Sequence, residues 1–168
     1  MVNSVVLEPF LLINTNENML AFANGQPIPH IINNIFVPTF GMVGGTGSTI
    51  SLLIAIFIFS RQQSAKQVAR LSLAPGLFNI NEPVIFGLPI VFNLPLMIPF
   101  VLLPAIGIYF AWLCTTLGLM SRCVVMIPWT TPPILSAWLA TAGDWRAVVV
   151  QLAIIVFGVF FYLPFLKV

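Results

Sequence analysis

The chain has 168 residues, 60% of them hydrophobic and only 6% charged, with six basic and four acidic side chains for a formal net charge of +2. Its mean hydropathy is +1.08, whereas a soluble domain covers its surface with roughly 25% charged residues, so an ordinary soluble fold is excluded. A nucleic-acid binder is excluded as well, because no basic run is interleaved with aromatics.

Backbone amides in hydrocarbon must be paired inside a helix or a closed barrel, and the long apolar runs here lack the dyad alternation of barrel strands. The expected class is therefore an all-α membrane protein, a helical bundle with about three to four membrane-crossing helices and two re-entrant hairpins. Fourteen prolines and eleven glycines add a further constraint. Broken helices are tolerated in a membrane where the loosened backbone lines a protein-buried cavity, which points to a transporter or channel.

The opening residues, Met1 to Val6, carry no basic n-region and no small-residue cleavage site, so no signal peptide is expected. Val5 to Ile13 is apolar and Asn14-Thr15-Asn16-Glu17-Asn18 polar, which reads as the end of a span followed, from Asn24 to Phe40, by an interfacial loop. Residues 41–60 start glycine-rich and become solidly apolar, giving one predicted crossing. The glycine stretch Gly41 to Thr49 lacks the Gly-Lys-[Ser/Thr] of a phosphate loop and reads as close helix packing.

Residues 61–70 hold Arg61, Lys66 and Arg70 with no acid, so the positive-inside rule places this loop in the cytoplasm; Lys167 is expected on the same side. Residues 71–93, cut by Pro75-Gly76 and closed by Asn79-Ile80-Asn81-Glu82-Pro83, read as a re-entrant hairpin, and 94–120 as a crossing. Residues 123–142, interrupted by Pro128 and Pro132-Pro133, read as a second re-entrant segment, and 147–166 as the last crossing. Asp144 and Arg146 around Trp145 mark its interfacial anchor.

Glu82 is an acid amid apolar sequence, and an acid at mid-bilayer costs about 2.5–3.5 kcal/mol on insertion scales. Sugar hydroxyls supply a reason for that cost, since a carboxylate accepts two of them and neighbouring amides both donate and accept. Cys114 and Cys123 have no CxxC spacing and no histidine nearby, so neither a metal site nor a disulfide framework is expected. A hydrolase built on Glu82 is disfavoured because no second carboxylate stands in an apolar segment near it.

The stretch Leu71 to Gly87, containing Asn-Glu-Pro at 81–83, together with Leu88-Pro89-Ile90-Val91-Phe92-Asn93 and Pro128-Trp129-Thr130-Thr131-Pro132-Pro133, resembles the membrane-embedded IIC component of the bacterial sugar phosphotransferase system. The resemblance is to its lactose/cellobiose/diacetylchitobiose family, and to the C-terminal part only of proteins more than twice this length. It implies a homodimeric permease of the cell membrane that holds a disaccharide such as cellobiose, chitobiose or lactose near the midplane. Cytoplasmic IIB and IIA partners would phosphorylate the sugar, and no cofactor is expected in the chain itself.

By matching position the resemblance gives Glu82 the sugar hydroxyls. Asn81 is expected to share these contacts, while Asn79 either joins them or caps the hairpin backbone. Trp129 either stacks on a pyranose ring or belongs to the interfacial aromatic belt. His30 is the weakest candidate. The family's functional histidine stands in a His-Gly context, whereas His30 lies between Pro29 and Ile31. An alternative is a truncated, non-transporting remnant or structural partner that packs with a full-length homologue.

Overall fold

The structure is a computed structural model that describes residues 2–166. Among the described residues it is all-helical: α1 Val2–Ala23, α2 Phe36–Gly41, α3 Thr49–Phe59, α4 Gln63–Leu77, α5 Glu82–Gly87, α6 Leu94–Thr116, α7 Leu135–Ala140 and α8 Trp145–Leu166, with a 3-10 turn at Ile90–Phe92. Two of these, α6 and α8, are long and apolar enough to cross a membrane. Lys167, expected on the cytoplasmic side, lies outside the described residues.

Helix α8 is the hub. It packs against α3, α6 and α7, while α6 also packs on α2, and α3 on α4. Two apolar clusters form around it. One joins Phe36 and Phe40 of α2 to Ala111, Ala137 and Ile154, with the two rings tilted at a centroid distance of 5.1 Å. The other joins Leu52, Leu53 and Ile56 of α3 to Leu103 and Tyr162. Gly158 lets α3 and α8 approach closely, because a Cβ there would fall 2.6 Å from Ser51 Oγ; small residues at such crossings are how helices pack in lipid.

Three segments differ from the sequence-based expectation. The polar run after Ile13 does not end a helix, and α1 continues to Ala23. Thr15 and Asn18, three residues apart, lie on one buried face where polar side chains find backbone partners: Thr15 donates to Leu11 O at 2.8 Å, and Asn18 to His30 O at 2.8 Å and Cys123 O at 3.1 Å.

Residues 41–60 do not form one crossing helix. Helix α3 has 11 residues, which at about 1.5 Å per residue gives about half the thickness of a hydrocarbon core, and the glycine stretch before it is irregular. The basic stretch 61–70 is not a loop. Helix α4 starts at Gln63 and runs through Pro75, burying Ala69, Ser72 and Gly76 against α3 while Arg61 and Arg70 are exposed and Lys66 is half-buried. Residues 71–93, expected as a re-entrant hairpin, consist of the end of α4, a turn at residues 78–81, the short α5 packed back on α4, and the 3-10 turn.

Candidate functional site

Three non-helical stretches meet beside α8: the glycine loop 42–48, the turn 78–81 and the segment 121–134. Asn79 ties them together. Its backbone sits at φ 61°, a left-handed conformation that asparagine adopts more readily than most residues. Its Oδ1 accepts from the Gly44 N–H at 2.9 Å, and its Nδ2 donates to Trp129 O at 2.6 Å and Thr131 O at 3.0 Å. An asparagine amide has two N–H donors, so both are committed to backbone.

Asn81 is buried and donates to Thr46 O at 2.7 Å. The loop it grips is also tied to α8 by Tyr162, whose hydroxyl donates to Gly47 O at 2.7 Å. Asn81 was expected to share sugar contacts and Asn79 either to join them or to cap the hairpin backbone; in this chain both side chains fasten the Asn-Ile-Asn turn to the neighbouring irregular backbone.

Above this knot opens a cavity of about 470 Å³, into which Asn79, Trp129 and Thr131 contribute together with Thr39, Gln151 and Glu8. Its size falls within the about 300–1,000 Å³ of small-molecule sites. The Trp129 side chain is 65% exposed, leaving indole surface at the cavity wall free to stack. Sequence reasoning therefore brought two of its candidates, Asn79 and Trp129, into one site.

It missed Gln151 and Glu8. Gln151 registered only as a polar break in an apolar run, yet it is 1% exposed with every amide hydrogen used: it donates to Thr39 O at 2.8 Å and Ser136 Oγ at 2.9 Å and accepts from the Ile134 N–H at 2.6 Å. The sequence signal that could have found it is a lone amide inside an apolar run of membrane-crossing length. Glu8 was hidden in an apolar stretch at the start of α1.

Glu82 is not buried, contrary to expectation. It opens α5 with Pro83 behind it, and because the turn directs Asn81 inward, the next residue faces out and is exposed on this chain's surface. The lining of the large cavity does not include it. As the acid in the first turn of a helix it faces the positive end of the peptide dipoles. His30 is remote from the cavity lining and pairs instead with Glu17, Nε2 to Oε2 at 2.5 Å, while its backbone is gripped at both N–H and C=O by Asn18.

The family model described as phosphotransferase system, EIIC, matches residues 2–104. The chain belongs to the phosphotransferase system EIIC family. It is 44% identical over 144 residues to the cellobiose-specific EIIC component of Lactococcus lactis subsp. lactis (strain IL1403), covering 81% of this chain and 29% of that one. It is 39% identical over 169 residues to the oligo-beta-mannoside-specific EIIC component of Bacillus subtilis (strain 168), covering 99% and 38%. The crystal structure of the transporter ChbC, the IIC component from the N,N'-diacetylchitobiose-specific phosphotransferase system, overlays with a TM-score of 0.94 at 38% identity, covering 99% of this chain and 38% of that one.

The EIIC chain thus spans about a third of the length of these relatives. The matched residues 2–104 contain the glycine loop and the Asn79–Glu82 turn. The Trp129 segment lies beyond them but within the overlay on ChbC, so in this EIIC chain the two walls of the cavity are both covered by the structural likeness.

Proposed function

We propose that this EIIC chain forms part of the sugar site of a membrane permease, and that its cargo is a β-linked disaccharide of the cellobiose or diacetylchitobiose kind. The observation that carries this reading is the cavity where Trp129 meets the Asn79 knot. An exposed indole face in a cavity also lined by the Glu8 carboxylate, the Asn34 amide and the Thr131 hydroxyl suits a pyranose, whose faces are apolar and whose edge is polar.

Glu82, which follows Asn81 at the start of α5, accepts hydroxyls of the part of the sugar that extends from the cavity. The sugar is phosphorylated by a cytoplasmic IIB component charged by IIA, and the permease works as a homodimer in the cell membrane. Arg61, Lys66 and Arg70 supply the positive bias that orients their end of the molecule to the cytoplasm, where IIB docks.

Cellobiose binding to the purified chain in lipid nanodiscs, followed by calorimetry, tests the reading. Trp129→Ala and Glu82→Gln are each expected to weaken binding by about tenfold or more, the scale of a lost stacking surface or a charged hydrogen bond of about 1.5–3 kcal/mol. Unchanged affinity in both variants would contradict it.

A further inference from the structure

The segment from Trp129 to Ser136 is a strap that cannot hold itself. Pro132 and Pro133 have no amide hydrogen to give, and Ile134, a β-branched residue, sits at φ 76°, a conformation that persists only when surroundings enforce it. Backbone support within it is limited to turn bonds such as Thr131 N to Pro128 O and Ser136 N to Pro132 O.

What holds it are two side-chain amides remote in sequence. Asn79 takes the carbonyls of Trp129 and Thr131 at one end. Gln151 takes the Ile134 N–H and the Ser136 hydroxyl at the other, and with its second donor reaches Thr39 O on α2, the opposite wall of the cavity. We propose that Asn79 and Gln151 are a two-point clamp that fixes the strap and so positions Trp129 and sets the width of the cavity, acting on cargo through the strap rather than by touching it. That the cargo is a sugar rests on the preceding reading; the clamp itself does not.

Two substitutions cut the clamp from opposite ends, and because Asn79→Gly also releases the Gly44 N–H and Gln151→Met also releases Thr39 O, an effect on the strap common to both isolates the clamp. Asn79→Gly removes the amide but keeps a residue at ease at positive φ, and Gln151→Met keeps approximate volume in an apolar helix. Hydrogen–deuterium exchange of the full chain in nanodiscs is expected to quicken roughly tenfold at the strap amides in each variant, with α6 unchanged. Exchange at the strap that stays as in the unsubstituted chain would overturn the clamp, and so would a rise spread evenly over α6 and α8, which marks general loosening.

Cellobiose binding supplies the second readout. Each variant is expected to lose roughly tenfold in affinity, and to lose nothing further when Trp129→Ala is already present; full additivity with Trp129→Ala would mean that the amides contact cargo directly and would overturn positioning. Failure of the unsubstituted chain to bind cellobiose, with the strap exchange still accelerated in the variants, would remove the sugar reading and leave the clamp standing.

Discussion

At the scale of the residue, the site turns on which polar groups are already spent. Asparagine in an apolar sequence signals only that an amide needs partners in a dry place; whether they are cargo hydroxyls or backbone carbonyls depends on which loops arrive beside it, and that is a matter of tertiary packing. Asn79 and Asn81 find Trp129, Thr131 and Thr46 carbonyls, so in this chain both amides fasten backbone, which for Asn79 is the capping alternative. Gly45 makes the fit possible. It stands at φ 102°, and a Cβ there would lie 2.7 Å from Asn81 Cγ and 2.9 Å from Asn79 O. Gly45→Ala is therefore expected to push the turn off the glycine loop, costing about 1–3 kcal/mol through backbone strain in addition to the weakened Asn81 bond. Thermal unfolding in detergent checks this: the midpoint should fall clearly below that of a control such as Gly25→Ala, where the φ is also positive but nothing lies within 4 Å. Equal shifts for the two would show that the crowding at Gly45 is not felt.

At the scale of the element, α8 carries the assembly and its start is capped. Asp144 Oδ1 accepts from the Arg146 N–H at 3.0 Å and Oδ2 from the Ser121 N–H at 2.7 Å, so it satisfies one free amide of the first turn and one of the chain after α6. Burial pushes its carboxyl up, but the amides of Ser121 and Arg146 and the charge of Arg146 outweigh that and hold it below the ordinary carboxylate value. A depressed folded-state value means that the stabilisation is fully present above the unfolded value, about 3.9, and is lost as pH falls through the lower folded one. Asp144→Ala is expected to cost about 1 kcal/mol at pH 7 and to show a smaller loss of stability than the unsubstituted chain between pH 4 and the acid limit; parallel pH curves for the two would count against the cap. The sequence made α6 and α8 legible because length and apolarity alone define them. It hid α4, since charges suggested a loop while Ala69, Ser72 and Gly76 formed a narrow buried stripe. It also hid the end of α1, where Thr15 and Asn18 are polar and yet buried.

At the scale of the whole molecule, short helices and irregular loops converge on one cavity beside two membrane-length helices. The all-α class and the EIIC family were readable from apolar runs and from the Asn-Glu-Pro and Pro-Trp-Thr-Thr-Pro-Pro stretches. The cavity was not, because its walls come from α1, α2, the 78–81 turn, the strap and α8, segments spread over more than a hundred residues whose meeting no local pattern encodes. Trp129 was legible as an aromatic in a broken segment, Gln151 only as an interruption. A mid-bilayer position for Glu82 was inferred from its apolar neighbours, but whether a side chain is covered by this chain depends on packing, and at the start of α5 Asn81 is buried while Glu82 is exposed. A disaccharide held between the strap and the Asn79 knot would lie within reach of both walls of the cavity. A cellobiose derivative bearing a small photoreactive group, irradiated with the full chain in nanodiscs and mapped by mass spectrometry, tests this placement most directly. Adducts are expected on the strap around Trp129 and on the facing residues of α2, suppressed by unlabelled cellobiose; adducts confined to the apolar groove that Leu103, Phe110 and Phe157 line between α6 and α8, or insensitive to competing cellobiose, would rule out a sugar in this cavity.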